Sequence, residues 1–197
     1  MIIKSLNDKK LILSSSSPRR KFLMEGLDLS FSVEVNQNIS EDFDPDMNIE
    51  LVPEYLANIK SNGFGRKLED NEILITADTM VLCNGEILGK PKDKKDASCM
   101  LRMLSDNMHK VLTGVCIRDN QKTESFTSTT DVYFKVLTEA EIEYYIDKYS
   151  PYDKAGAYGA QEWIGYVAIE KIDGSYFNVM GLPIQRLYSK LEEFLSD

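Results

Sequence analysis

Three cysteines, Cys83, Cys99 and Cys116, are all the chain has, and no two stand at C-x-x-C spacing. Each lies inside an apolar pattern, so buried free thiols are expected rather than a disulfide framework. That points to a reducing compartment, and the cytoplasm is the expected location. A single histidine, His109, leaves no histidine-based metal cluster and no multi-histidine chemistry. It opens an apolar stretch beside polar residues, where a hydrogen-bonded structural role is expected. No apolar run approaches the roughly 18 residues that span a bilayer. Met1-Ile2-Ile3-Lys4 runs straight into polar residues, so no signal peptide is expected. Positive charge is in deficit, with 23 Lys and Arg against 32 Asp and Glu. The resulting net charge of −9 argues against non-specific binding to nucleic acid or to an anionic membrane. The phosphate-loop motif G-x-x-x-x-G-K is absent, and so are internal repeats, low-complexity tracts and long linkers.

What is present is an ordinary globular composition, 43% apolar and 28% charged over 197 residues. That length suits one domain, or one domain with two lobes around a cleft. The stretch from Leu11 to Leu27 organises the rest. Leu11-Ile12-Leu13 suits the end of a short buried strand, and Ser17-Pro18 marks a helix start. Gly26 is expected to close that helix in a left-handed conformation. Strand, hydroxyl-rich turn and helix N-terminus together leave backbone N–H groups that attract an anion. Arg19 and Arg20 oppose the helix dipole unless an anion sits between them and those groups, and guanidinium grips phosphate bidentately. A solvated basic turn is the alternative.

Further along, Phe31–Val35 alternates like a strand, and an acidic loop follows from Asn38 to Asp46. Of its carboxylates only Glu41, nearest the strand end, is placed to point into a cleft. Pro53 opens a helix with Val52, Tyr55, Leu56 and Ile59 on one face, bordered by Lys60. A lysine there snorkels to water unless something else recruits it. Ile73–Ala77 is a continuous apolar run, and Asn84-Gly85 is a strong hairpin signal before Glu86-Ile87-Leu88. Asp78 is thus a carboxylate between two apolar segments, costly without a partner. A structural salt bridge, a metal ligand and a general base remain open for it.

Ala97, Met100, Leu101 and Leu104 trace a helix face, with Met100 and Met103 as core filler. His109–Ile117 and Thr123–Val136 read as strands, the second with Phe126, Val132, Phe134 and Val136 on one face. Thr138 and Glu141 form a capping box for a helix faced by Ile142, Tyr145, Ile146 and Tyr149, ending before Pro151. In Pro151–Gln161, small residues and two glycines suit close approach to a flat ligand, and Gln161 offers an amide that both donates and accepts. Tyr166–Ile172 reads as a strand, and Gly181-Leu182-Pro183 starts a last helix faced by Ile184, Leu187, Tyr188, Leu191 and Leu195. Strands alternating with helices and broken by hairpins give an α/β class with a mixed sheet.

Taken together, Leu13-Ser-Ser-Ser-Ser-Pro-Arg-Arg20, Ala77-Asp-Thr79, Gly89-Lys-Pro91, Asp153-Lys-Ala-Gly-Ala-Tyr-Gly-Ala-Gln161 and Gly174-Ser-Tyr-Phe-Asn-Val-Met-Gly-Leu-Pro183 resemble, in order and spacing, the motifs of the Maf family of nucleotide pyrophosphatases. The resemblance covers nearly the whole chain. It implies a Maf / ITPase-like fold, an elongated mixed α/β sheet with flanking helices and a central cleft. It also implies hydrolysis of a nucleoside triphosphate between the α and β phosphates. Carried over by position, Asp78 corresponds to the family's proton acceptor, while Ser15, Arg20, Lys60 and Lys90 correspond to its phosphate-holding residues. Arg19, Thr79 and Gln161 match the trio that marks the branch acting on dTTP and UTP. Glu41 and Asp78 would hold a divalent cation, Mg2+ or Mn2+. Ser14, Ser61 and Ala160 depart from the family pattern, and Ser40 replaces an aspartate that often precedes Glu41. The implied partner is the nucleoside triphosphate, with a homodimer as a further expectation. A non-enzymatic nucleotide-binding regulator of cell division, and a pyrophosphatase preferring another base such as 7-methyl-GTP, are the alternatives.

Overall fold

The structure is a computed structural model that describes residues 6, 8–35 and 39–196. Met1-Ile2-Ile3-Lys4, read above for a leader, and Asn38 at the head of the acidic loop lie outside the described residues. Helices and strands are interspersed along the chain. They are β1 (Lys10–Leu13), α1 (Pro18–Glu25), β2 (Phe31–Val33), α2 (Val52–Asn62), β3 (Glu72–Cys83), β4 (Glu86–Leu88), α3 (Lys94–Leu104), β5 (Met108–Arg118) and β6 (Thr123–Phe134). Then come α4 (Glu139–Tyr149), α5 (Trp163–Ala168), β7 (Ile169–Asp173), α6 (Tyr176–Met180) and α7 (Ile184–Ser196). The strands form one mixed sheet in the order β2-β1-β3-β5-β6-β7, with β4 paired to β3. No described helix is long and apolar enough to cross a membrane.

The chain divides into two compact units. The first holds residues 1–78, 113–128 and 181–197, and the second holds 79–112 and 129–180. The division falls between Asp78 and Thr79 in β3, between Leu112 and Thr113 in β5, between Ser128 and Thr129 in β6, and between Met180 and Gly181 at the end of α6.

In the first unit β1 runs parallel to both β2 and β3, with Leu11 opposite Phe31 on one side and Ile73 on the other. Flanked on both edges, Leu11, Ile12 and Leu13 are at most 1% exposed. Burying each contributes roughly 1.5–3 kcal/mol. Glycine is required at position 114. A Cβ there would lie 2.1 Å from the carbonyl carbon of Pro53, so β5 passes against the first turn of α2 closer than any side chain permits. Thr76 donates from its hydroxyl to the Ala57 carbonyl at 2.6 Å, which ties β3 to the middle of α2. The last helix buries Ile184, Leu187, Leu191 and Phe194; Tyr188 and Leu195, expected on that face, are only half-buried.

The second unit has its own core, built from Leu101 and Leu104 of α3, Val132 and Phe134 of β6, Ile142, Tyr145 and Ile146 of α4, and Ile164 of α5. His109 is 1% exposed and hydrogen-bonds through Nε2 to the Tyr158 hydroxyl at 2.8 Å, the structural role expected of it. Burial pushes its imidazole down to about 4.

Several local readings need correction. Gly26 follows α1 with φ −67°, in the right-handed region; the left-handed residue is Asp28, two positions on. Tyr166–Ile172 is not one strand, because α5 runs to Ala168 and β7 begins at Ile169. The deciding spacing is helical: Ile164 and Ala168, four apart, are both fully buried, whereas Tyr166 is 82% exposed. Cys99 lies on the exposed side of α3, unlike buried Cys83 and Cys116. Val136 lies past the end of β6 and is exposed, and Tyr55 is exposed on α2, where Ala57 takes the buried position instead. The stretch read as a strand over Phe31–Val35 also ends early, at Val33.

Candidate active site

Asp78 sits in β3 at the edge of the first unit, with its residue 8% exposed. A carboxylate so placed needs a partner, and Lys60, near the C-terminus of α2, supplies one. Lys60 Nζ donates to Asp78 Oδ1 at 2.5 Å and lies 3.1 Å from Glu41 Oε1. One ammonium thus bridges the two carboxylates that the family resemblance implies as metal ligands. The pair is unequal, for the Asp78 side chain is 12% exposed and that of Glu41 is 58% exposed. Lys60 does not snorkel to water as an ordinary helix lysine would; its side chain is 19% exposed.

The serine turn forms beside this cluster for reasons legible in the chain. The Ser17 hydroxyl caps α1 by accepting from the Arg20 backbone N–H, with Pro18 at the first helical position. Arg20 then reaches inward with its guanidinium fork. Nε donates to the Gly181 carbonyl at 2.8 Å, one η nitrogen to the Ala77 carbonyl at 2.9 Å, and the same nitrogen to Ser15 Oγ at 3.4 Å. Gly181 holds φ at 113°, a conformation that favours glycine, as it turns the chain into α7. Burial lowers the Arg20 pKa, Asp78 opposes that effect, and neighbouring Arg19 reinforces it. Ser15 Oγ also accepts from the Ser17 backbone N–H at 3.2 Å. With two donors aimed at its oxygen, the Ser15 hydroxyl has its own proton to give to an acceptor such as a phosphate oxygen. Arg19 is half-buried on the same helix turn. In the loop that carries Glu41, Ser40 donates its hydroxyl to Asp42.

The remaining predicted residues belong to the second unit. Thr79 follows Asp78 in β3 and is half-buried. Lys90 is exposed just past β4, and its neighbour Gly89 accepts from the Gly156 N–H at 3.1 Å. Gly156 has φ 67°, a conformation that favours glycine, and a Cβ there would come within 3.1 Å of the Val81 side chain. Gln161 is half-buried, and its Oε1 is a buried acceptor with no hydrogen-bond partner among the described residues.

Two features escaped the sequence reading. The Arg20–Gly181 contact joins residues 161 apart, and no local pattern announces it. Lys154, buried at 7% exposure, pairs with Asp153 at 2.7 Å and Glu162 at 3.1 Å. The only available signal was a lysine among small residues in the Pro151–Gln161 segment.

Among the described residues no group of three or more His, Cys, Asp or Glu stands together to hold a metal. Asp78 and Glu41 nevertheless suit Mg2+ by donor chemistry. They are hard carboxylate oxygens that converge on the Lys60 ammonium, and Mg2+ is commonly held by one or two carboxylates plus substrate phosphates.

A profile of the family described as Maf-like protein matches residues 10–194. A dTTP/UTP pyrophosphatase of Porphyromonas gingivalis is 47% identical over 98% of this chain and 98% of its own length. One from Bacteroides thetaiotaomicron is 47% identical over 96% of this chain and 98% of its own, and one from Flavobacterium johnsoniae is 42% identical over 97% and 98%. A solved nucleoside-triphosphatase / dITP/XTP pyrophosphatase from Mycobacterium abscessus aligns over 95% of this chain and 97% of its own, at 9% identity and a TM-score of 0.43.

Proposed function

The chain belongs to the Maf-like protein family, and from that premise we propose that it hydrolyses dTTP and UTP to the monophosphate and pyrophosphate in the cytoplasm. One structural observation carries the assignment of chemistry: a lysine bridging Asp78 and Glu41 beside an arginine–serine turn. Such a cluster suits an anionic substrate and a water to be deprotonated. The pyrimidine preference rests on the names of relatives that align over nearly the full chain.

In this reading Arg20, Ser15, Lys60 and Lys90 hold the triphosphate. Arg20 is already fixed by two backbone carbonyls, so little side-chain freedom is lost on binding. Lys60 donates to Asp78 Oδ1, so Oδ2 is the oxygen that takes the proton. Asp78 removes that proton from a water as its oxygen bonds to the α phosphorus. The bond from the α phosphorus to the oxygen bridging to the β phosphate breaks, and pyrophosphate leaves with that oxygen. Asp78 and Glu41 would hold Mg2+, or Mn2+, which supplies charge neutralisation at the phosphates when bound. Arg19, Thr79 and Gln161 read the base.

Pyrophosphate release with Mg2+ from dTTP, UTP, CTP, dGTP, ITP and 7-methyl-GTP tests the proposal. Preference for dTTP and UTP is the expected result. Preference for another base would discard the reading of Arg19, Thr79 and Gln161, and binding without turnover of any nucleotide would discard the enzyme.

A further inference from the structure

Behind Gln161 lies a buried polar network that the proposed chemistry does not use. Tyr145, on the inward face of α4, is fully buried, yet its hydroxyl serves two partners. It donates to Glu162 Oε2 and accepts from the Gly159 backbone N–H at 3.0 Å. Glu162 presents its other oxygen to Lys154 at 3.1 Å, and the Lys154 side chain is 8% exposed. Both oxygens of a mostly buried carboxylate are thereby satisfied from within the fold. The Glu162 N–H also donates to the Gly159 carbonyl at 3.0 Å, closing a tight turn over Gly159-Ala160-Gln161-Glu162.

The network touches Gln161 through Gly159. A Cβ at Gly159 would come within 2.9 Å of Gln161 Nε2 and 3.0 Å of Glu162 Cδ, so the backbone held by Tyr145 is the surface against which the Gln161 amide packs. Gln161 Oε1 has no hydrogen-bond partner of its own among the described residues. Its orientation is therefore set by this packing rather than by a bond to the amide oxygen. Burial and the adjacent Glu162 both raise the Tyr145 pKa, so the hydroxyl stays a donor to Glu162.

We propose that Tyr145, acting through Gly159 and Glu162, is a positioning residue that fixes the Gln161 amide and so sharpens base discrimination. The inference rests on the reading of Gln161 as a base-contacting residue. Tyr145→Phe removes both hydrogen bonds of the hydroxyl and keeps the ring in the core. The measurement is kcat and KM for dTTP and dGTP in wild type, Tyr145→Phe and Gln161→Ala, with Tm recorded for each. The dTTP over dGTP ratio of kcat/KM is expected to fall about ten-fold in Tyr145→Phe, the worth of one well-made hydrogen bond. The fall should come through KM for dTTP, with kcat for dTTP kept within about two-fold of wild type. A lowered Tm with an unchanged ratio in Tyr145→Phe, while Gln161→Ala does lose discrimination, would overturn the positioning role alone. An unchanged ratio in Gln161→Ala would overturn the base-contact reading, and this inference with it.

Discussion

Lys60 Nζ touches two carboxylates at once, Asp78 Oδ1 and Glu41 Oε1. Lys60 and Asp78 are 18 residues apart, and what joins them is α2 packing back on β3, pinned by Thr76 to Ala57. From the chain alone, Asp78 was legible as an oddity, a carboxylate between apolar runs, and Lys60 as a lysine bordering a helix face. Their meeting was not legible, because the distance between two elements is set by packing and no period in either segment encodes it. Arg20 follows the same pattern. Its opposition to the helix dipole was readable, whereas its bonds to Gly181 and Ala77 carbonyls were not. Replacing Asp78 by Asn keeps the shape of the side chain and removes the proposed base. Turnover of dTTP by Asp78→Asn is expected to fall about 10²- to 10⁴-fold in steady-state assays of pyrophosphate release, as loss of a general base predicts. Activity within about ten-fold of wild type would exclude Asp78 as that base.

At the scale of elements, local signals served well wherever the chain's own chemistry decides. The Ser17-Pro18 start of α1 and the Thr138–Glu141 capping box of α4 both stand in the structure as the sequence reads. Local signals failed at Tyr166-Val167-Ala168, which suits either period and became helix because Ile164 and Ala168 share a buried face. Gly114 is another non-local feature, since only the approach of Pro53 explains it. Gly114→Ala drives a methyl group into the backbone of α2's first turn, and backbone has no rotamer by which to yield. The variant is expected to lose at least about 1–3 kcal/mol in urea unfolding, the scale of overpacking. A loss under about 0.5 kcal/mol, ordinary for a tolerated surface change, would show that β5 and α2 pack less closely than this.

For the molecule as a whole, the mixed α/β class is legible in the sequence, since hairpin signals and helix caps are local and numerous. Its division into two units, at Asp78–Thr79 and two other strand positions, left no compositional mark of the kind a linker leaves. Global stability should carry the signature of the buried histidine. His109 titrates near 4 in the fold against 6.5 when exposed. Above pH 6.5 the imidazole is neutral in both states. Between pH 6.5 and 4 only the unfolded chain takes up the proton, so stability falls as pH drops through that window. The loss from this group is on the order of 3 kcal/mol. It is separable from that of Glu141, held down to about 2 chiefly by its hydrogen bond from Lys135, whose contribution disappears as pH falls from 4.5 toward 2. Denaturation midpoints of wild type should decline from pH 6.5 to 4.5 more steeply than those of His109→Gln; parallel curves would contradict the buried neutral imidazole.

The phosphorus that water attacks distinguishes the possible cleavages, and isotopic oxygen reads it directly. Hydrolysis of dTTP in water enriched in oxygen-18, followed by mass spectrometry of both products, should place one labelled oxygen in dTMP and none in pyrophosphate. Label in pyrophosphate would mean attack at the β phosphorus. Label in orthophosphate would mean attack at the γ phosphorus, and either result would contradict Asp78 delivering water to the α phosphate.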